Sequence, residues 1–275
     1  MTVQEVLGRA ARCLRGSAIL SARLEAEMLL AHVLGATRLD LHAAGERVVS
    51  AAEEQAYGAL LDRRARGEPV AYLTGRKEFY SLDLVVTRDV LVPRPETEML
   101  VDRVRELGPR RLLDLCTGSG CVAVACAVHL PSCDVTATDV SAAALAVARE
   151  NAARHGAAVR FLEGDLFGAL PQGDRFDVIA SNPPYVRAAE AARVATFEPM
   201  LALDGGPSGL TLLARVIEGA PRFLAAGGTL LCEIGEDQEA AALRLASGRF
   251  ASAEVVRDLA GQPRMLLARI AMSPS

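Results

Sequence analysis

Residues 111–120 read Arg-Leu-Leu-Asp-Leu-Cys-Thr-Gly-Ser-Gly and carry the strongest signal for the fold. A short apolar run leads into a turn that holds Gly118 and Gly120, and the apolar stretch 121–130 follows. This order predicts a β-strand, a tight turn and a helix. Glycines let the backbone of such a turn approach a ligand closely, and the helix N-terminus adds unpaired N–H groups. The segment therefore predicts a strand–helix unit of an α/β sheet with a ligand site at its turn.

The spacing of these glycines excludes the two common phosphate-binding turns. A dinucleotide fingerprint has the form G-x-G-x-x-G, and no third glycine follows at the required place. A phosphate loop needs Gly-Lys followed by Ser or Thr, which the turn lacks. A ligand with a ribose and a carboxylate but no phosphate fits better, and S-adenosylmethionine is such a ligand. The predicted cofactor-binding turn consists of Cys116, Thr117, Gly118, Ser119 and Gly120.

Acidic residues stand at the ends of the next two apolar runs. Asp139 lies about 20 residues beyond the glycines, where an acid can bind ribose hydroxyls, and Ser141 fills the alternative role of helix N-cap. Asp165 is predicted to accept a hydrogen bond from an adenine amine, although a turn aspartate is an alternative interpretation. Leu166 or Phe167 is predicted to pack against the adenine ring. Because ligands of open α/β sheets lie beyond the carboxyl ends of the strands, these residues are predicted to complete the cofactor site.

The fourth apolar run, residues 176–181, ends in Asn182-Pro183-Pro184-Tyr185. An asparagine oxygen and the Pro183 carbonyl can accept both N–H bonds of a planar NH2 group, and the prolines stiffen the chain around them. Tyr185 offers a flat face on which that group can stack. We predict that Asn182, Pro183 and Tyr185 are catalytic, that the whole tetrapeptide binds substrate, and that Asn182 also contacts the cofactor. An ordinary turn after a strand is the alternative interpretation.

The remaining patterns define the fold class. From residue 111 onward apolar runs alternate with helical patterns, which predicts strands near residues 111–115, 134–138, 158–162, 176–181, 228–234, 252–258 and 264–270. The last two are close enough to form a hairpin. Residues 1–70 carry helical stripes, and residues 78–92 predict a β-hairpin that turns near residues 87–89. The predicted fold is an α/β, Rossmann-like seven-stranded sheet, mostly parallel with an antiparallel edge hairpin, plus a small N-terminal helical bundle.

Composition narrows the class of protein. The chain has 275 residues, 51% of them hydrophobic and 23% charged, as in folded globular proteins. Its net charge of −4 argues against a generic nucleic-acid-binding protein. The six cysteines include no C-x-x-C pair and the four histidines no ligand spacing with them, so reduced thiols and no metal site are predicted. No apolar stretch has membrane-spanning length and no export signal is evident, which predicts a cytoplasmic protein without a membrane partner.

Several segments together resemble the bacterial peptide chain release factor glutamine methyltransferases, a branch of the S-adenosylmethionine-dependent Rossmann-like methyltransferases. The likeness covers nearly the whole chain and rests on residues 69–79, 92–98, 114–120, 181–185, 198–203 and 233–238. The Asn-Pro-Pro-Tyr tetrapeptide also occurs in enzymes that methylate amines of nucleic acid. The segment 92–98, Val-Pro-Arg-Pro-Glu-Thr-Glu, and the helical N-terminal region narrow the match.

The resemblance implies a reaction and a substrate. A methyl group would pass by direct in-line transfer from S-adenosylmethionine, leaving S-adenosylhomocysteine, to the side-chain amide nitrogen of glutamine in the Gly-Gly-Gln loop of class-I release factors. Asn182 and the Pro183 carbonyl would hold that amide, and Tyr185 would pack on it. The implied partner is thus a release factor, with no stable nucleic-acid complex, and the enzyme is expected to be a monomer.

The resemblance also implies a division of the chain. It predicts a helical substrate-recognition domain over residues 1–74, a hairpin linker over 75–92 and the methyltransferase domain over 93–275. The chain departs from the family at Cys116, where many members have glycine, and at Leu166, where some have an aromatic residue. No role is assigned to residues 204–210. Methylation of a nucleic-acid amine, a binding module without turnover and, least favoured, a dinucleotide oxidoreductase are the other interpretations.

Overall fold

The computed structural model describes residues 1–272, and the chain divides into two compact units after Arg76. The first unit is helical. Its helices are α1 Val3–Gly16, α2 Ala22–Leu34, α3 Arg38–Ala43, α4 Ala51–Ala65 and α5 Val70–Thr74. Among residues 1–272, no helix combines the length and the apolar character that crossing a bilayer requires.

One hydrophobic core holds the first unit together. Leu7 and Leu14 of α1 pack with Leu29 of α2 in a cluster from which solvent is almost fully excluded. The hydroxyl of the buried Tyr57, on α4, donates a 2.8 Å hydrogen bond to the Ala26 carbonyl on α2. Amphipathic helices whose apolar faces meet in this way form the bundle that the sequence predicts.

Residues 76–272 contain nine strands and six α-helices. The strands are β1 Arg76–Phe79, β2 Leu82–Val85, β3 Arg111–Leu115, β4 Asp134–Asp139, β5 Val159–Glu163, β6 Phe176–Ser181, β7 Leu224–Glu233, β8 Ser252–Arg257 and β9 Pro263–Arg269. The helices are α6 Glu98–Leu107, α7 Cys121–His129, α8 Ala142–Arg154, α9 Ala188–Val194, α10 Thr211–Gly219 and α11 Glu239–Ala246. Short 3-10 turns lie at Pro95–Thr97, Leu166–Ala169, Met200–Ala202 and Ala220–Arg222.

The last seven strands form one sheet in the order β5-β4-β3-β6-β7-β9-β8. The strands β3 to β7 run parallel to one another, with Leu112 of β3 paired to Val135 of β4 and to Val178 of β6. The strand β9 is antiparallel to both β7 and β8. This arrangement confirms the predicted Rossmann-like sheet with an antiparallel edge hairpin. The chain reverses its order between β3 and β6, which is where ligands of such sheets bind.

The sheet is covered by apolar side chains on both faces. Successive residues of a strand point to opposite faces, so Leu112 joins one hydrophobic cluster and Leu113 joins the other. Both are fully buried. A strand buried on two sides reads as a continuous apolar run, which is why the first strand was detectable in residues 111–115.

The predicted hairpin exists, but the predicted position of its turn is wrong. The turn joining β1 to β2 is Tyr80-Ser81, both with positive φ (50° and 61°), and not residues 87–89. Two-residue hairpin turns need positive φ, which usually selects Asn-Gly. Here contacts with residues distant in sequence hold the strained turn. The Tyr80 N–H donates to Glu98 (2.9 Å) and its hydroxyl donates to Asp102 (2.7 Å).

Candidate functional site

A cavity of about 450 Å³ opens at the carboxyl edge of the parallel strands, inside the second unit. Its volume lies within the range of small-molecule sites. The segments that follow β3, β4, β5 and β6 all contribute to its wall. Nine predicted site residues line it: Cys116, Thr117, Gly118, Ser119, Asp139, Asp165, Leu166, Asn182 and Pro184. Gly120, Pro183 and Tyr185 are not among the lining residues.

The carboxylate of Asp139 ties two strand ends together. One oxygen accepts the N–H of Gly118 (2.9 Å) and the other accepts the N–H of Ser141 (2.9 Å). Burial raises the pKa of Asp139, while these two N–H bonds act to lower it. Ser141 caps α8 by accepting the N–H of Ala144 (3.1 Å), as the sequence predicts. Each Asp139 oxygen keeps a further lone pair with which it can accept a hydrogen bond from a ligand hydroxyl.

The glycine turn is strongly curved. Cys116 has φ of 60°, in the left-handed region that favours glycine, and Gly118 and Gly120 also have positive φ. A Cβ on Gly120 would lie 3.0 Å from the Cβ of Ala148 on α8, so this glycine allows close helix packing. Burial raises the pKa of the Cys116 thiol, which keeps it neutral at physiological pH. Cys116 therefore acts as a small lining residue and not as a thiolate nucleophile.

The third strand end presents one charged and one apolar residue to the cavity. Asp165 accepts a 2.8 Å hydrogen bond from Arg215, and both residues line the cavity. Leu166 also lines the cavity, and its side chain is buried. The ring of Phe167 instead stacks on Phe223, with 5.0 Å between centroids, in the hydrophobic core. Of the two residues considered for the adenine ring, only Leu166 thus faces the cavity.

The backbone of the Asn-Pro-Pro-Tyr tetrapeptide is supported by contacts from Gln238 and Gly205 to which sequence analysis assigned no role. The buried Gln238 donates from Nε2 to the carbonyls of Tyr185 and Gly209, both at 3.1 Å. A Cβ on Gly205 would lie 2.8 Å from the Pro184 carbonyl oxygen. Glycine is therefore required where residues 204–210, which received no predicted role, pass beneath the tetrapeptide.

Two further buried residues, Thr97 and Glu233, were also missed. The Asn182 side-chain nitrogen donates to the Thr97 hydroxyl (3.1 Å), which donates to Glu233 (2.7 Å). The Tyr185 hydroxyl donates to the other Glu233 oxygen (3.2 Å). Glu233 ends β7 directly after an apolar run, the same signal that identified Asp139, so sequence analysis could have found it. Thr97 follows no strand, and although it lies in the segment 92–98 that supports the family resemblance, it received no role of its own there.

Glu198 joins two segments that contribute residues to the cavity wall. One of its oxygens accepts the N–H of Val92 (3.1 Å), and the other accepts from the guanidinium of Arg94 (2.5 Å). Arg94 and the adjacent Pro199 line the cavity. Within residues 1–272, no three His, Cys, Asp or Glu side chains converge as a metal site would require.

The buried Asp114 gives the second unit a pH-dependent stability. Burial raises the pKa of Asp114 from 3.8 to about 7, against the bonds that it accepts from Thr117 and Ala123. Between those pH values the folded chain binds more protons than the unfolded chain, so the free energy of unfolding falls as pH rises.

We expect wild type to lose stability relative to Asp114→Asn as pH rises from 4 to 7. The relative loss is at most about 1.4 kcal/mol per pH unit, and it levels off above pH 7. Urea denaturation of both proteins at several pH values measures it. The raised pKa of Asp114 would be contradicted if the difference in free energy of unfolding between wild type and Asp114→Asn stayed constant with pH. A difference that grew in favour of wild type as pH rises would contradict it too.

Two family models match the chain, the PrmC N-terminal domain over residues 5–75 and the methyltransferase small domain over residues 94–260. A release factor glutamine methyltransferase of Bordetella pertussis is 48% identical over 252 residues, which cover 88% of this chain and 93% of the relative. The protein of the same name from Moorella thermoacetica is 42% identical over 279 residues and covers 98% of both chains.

Solved structures share the fold of this chain. A methyltransferase from Pyrococcus furiosus matches with a TM-score of 0.57 and 22% identity, over 77% of this chain and 98% of its own. The 16S rRNA N2 G1207 methyltransferase of Thermus thermophilus matches with a TM-score of 0.52 and 16% identity, over 71% of this chain and 49% of its own. At these identities the likeness shows the fold alone.

Proposed function

Because this chain belongs to the release factor glutamine methyltransferase family, we propose that it methylates the glutamine of the Gly-Gly-Gln loop in class-I release factors. The methyl donor is S-adenosylmethionine, and the acceptor is the side-chain amide nitrogen. One observation carries the proposal. Asn182 of the Asn-Pro-Pro-Tyr tetrapeptide lines the same cavity as the glycine turn, in a chain 48% identical to a relative with this name.

The residues of the cavity fit S-adenosylmethionine. Asp139 keeps acceptor capacity for ribose hydroxyls, and Leu166 offers an apolar surface for the adenine ring. Asp165 supplies an acceptor for the adenine amine, although it shares its carboxylate with Arg215. The turn from Cys116 to Gly120 curves around the space that remains for the amino-acid part. When bound, this group supplies an electrophilic methyl on a sulfonium, suited to direct in-line transfer.

The role of the tetrapeptide is to hold and activate the glutamine amide. Asn182 Oδ1 and the Pro183 carbonyl accept the two N–H bonds of that amide. Within residues 1–272 no donor is bonded to the Pro183 carbonyl, so its lone pairs are not used inside the chain. Both acceptors fix the positions of the amide hydrogens, favour lone-pair character on the nitrogen and aim it at the methyl group. Their bonds strengthen as the nitrogen becomes positive, so they stabilise the transition state more than the ground state.

Tyr185 and Pro184 support that arrangement. Tyr185 is partly buried, and its hydroxyl donates a hydrogen bond to Glu233, which fixes the orientation of the phenol ring. Pro184 lines the cavity and forms part of its wall. The alkylated nitrogen then loses its extra proton to solvent. Positioning and electrostatic stabilisation thus provide the catalysis.

The remaining parts of the proposal concern the whole chain. Residues 1–74 contribute contacts to the release factor, residues 75–92 form a linker hairpin, and residues 93–275 carry the reaction. The protein acts as a cytoplasmic monomer without a stable nucleic-acid or membrane partner. Sedimentation of the enzyme alone and with a release factor would test the stoichiometry.

Intact mass spectrometry of a class-I release factor tests the function. After incubation with this protein and S-adenosylmethionine, we expect the native factor to gain the mass of one methyl group. A control factor with Gln→Ala in its Gly-Gly-Gln loop should gain nothing. If the native factor stays unchanged while the cofactor binds, the proposed substrate is wrong. If both factors are methylated, the proposed position is wrong.

A further inference from the structure

A chain of buried hydrogen bonds runs beneath the proposed amide site. It begins at the Asn182 side-chain nitrogen, passes through the Thr97 hydroxyl at 3.1 Å and ends on a Glu233 oxygen at 2.7 Å. Thr97 is 2% exposed and Glu233 is 4% exposed, so water does not compete for these bonds. The Tyr185 hydroxyl donates to the second Glu233 oxygen, which joins two residues of the tetrapeptide through one carboxylate.

The number of protons available in this series of hydrogen bonds determines which residue donates and which accepts. A threonine hydroxyl has a single proton, and an ionised carboxylate can only accept. While Glu233 is ionised, Thr97 must therefore donate to it, which leaves Thr97 only lone pairs to offer Asn182. The NH2 group of Asn182 is then the end that faces Thr97, and its oxygen is the end left for the cavity.

We propose that Thr97 and Glu233 are positioning residues that select the amide orientation of Asn182 and thereby make the site specific for a substrate that offers an NH2 group. This inference rests on the proposed function. If the Asn182 amide were reversed, its NH2 would meet the NH2 of the substrate glutamine, donor against donor. Without Thr97 and Glu233 the two orientations differ little, because the amide oxygen and nitrogen have almost the same shape.

The orientation of the Asn182 amide depends on the negative charge of Glu233. A protonated Glu233 could donate to Thr97, which would free the Thr97 proton for the Asn182 oxygen and reverse the chain. Burial raises the pKa of Glu233, while the bonds from Thr97 and Tyr185 act to lower it. The charged groups that face it are Glu96, which also raises the pKa, and Arg264, which lowers it. Turnover should therefore fall as pH drops through the pKa of Glu233, and Glu233→Gln should lack this acidic limb.

The decisive measurement is the preference for glutamine over glutamate in the substrate loop. Glutamate has the shape of glutamine but offers acceptor oxygens in place of NH2. We measure the dissociation constants of the native release factor and of its Gln→Glu variant for each enzyme. In Thr97→Val the Asn182 amide can turn its NH2 to the cavity, so the preference should fall about 10-fold, the value of one lost hydrogen bond. Turnover should fall about 10- to 100-fold with it.

Matched variants separate positioning from a structural role. Thr97→Ser keeps the hydroxyl, and its preference for glutamine should match wild type. Glu233→Gln can donate to Thr97, so it should lose the preference as Thr97→Val does. An unchanged preference in both Thr97→Val and Glu233→Gln would overturn the inference, as would an equal fall in Thr97→Ser. Methylation of the native factor by wild type is established first, so failure of the proposed function is recognised separately.

Discussion

Replacing Asn182 by alanine is expected to lower kcat by about 100- to 1,000-fold at saturating S-adenosylmethionine, with the release factor as substrate. The loss corresponds to roughly 2.7–4 kcal/mol of barrier, by analogy with the removal of one oxyanion-hole donor from a preorganised site. In the proposed mechanism the oxygen of Asn182 accepts an amide hydrogen that becomes more acidic as the nitrogen is alkylated. Its removal therefore affects the transition state more than the bound substrate.

Single-turnover kinetics with enzyme in excess measure this effect apart from product release. Thermal denaturation of Asn182→Ala shows that the variant is folded, and titration with the cofactor defines the saturating concentration. A turnover rate equal to that of wild type under these conditions would show that Asn182 does not have the proposed catalytic role. A rise in KM with unchanged kcat would reduce its role to uniform binding of substrate.

Replacing Asn151 by alanine is expected to lower the free energy of unfolding by about 3 kcal/mol, since three buried or partly buried backbone groups lose the hydrogen bonds that it makes to them. Asn151, on α8, is completely buried. Its oxygen accepts the N–H of Val85 (2.7 Å), and its nitrogen donates to the carbonyls of Val85 (3.0 Å) and Ser119 (2.9 Å). One side chain thus joins the hairpin, a helix and the glycine turn. The variant should also bind S-adenosylmethionine more weakly, because Ser119 belongs to the turn that we propose binds the cofactor.

Urea denaturation measures the stability of Asn151→Ala, and calorimetric titration measures its affinity for the cofactor. The matched control is Gln172→Ala, which removes an amide from an exposed loop and should change stability by less than about 0.5 kcal/mol. A loss of stability in Asn151→Ala no larger than that of the control would show that water replaces the three bonds.

The sequence by itself determined the sheet. Its seven strands are short segments rich in apolar residues, in several cases broken by polar residues, such as Asp114 in β3. A central strand buried on both faces needs apolar residues at successive positions wherever it lies in the fold. The residues after each run could be predicted to lie together for the same reason, since the carboxyl ends of parallel strands share one edge. Asp139, Leu166 and Asn182 do line one cavity there.

Only the tertiary structure decided which side chains support that edge. Thr97 and Glu233 are 136 residues apart, and Gln238 reaches Tyr185 across 53 residues. Such bonds leave no local periodicity, because each partner satisfies the other through space. The same holds for the turn at Tyr80, where Glu98 and Asp102 stabilise a backbone conformation that its own residues disfavour. Burial patterns are local and can be predicted from short segments, whereas hydrogen-bond partners depend on the completed fold.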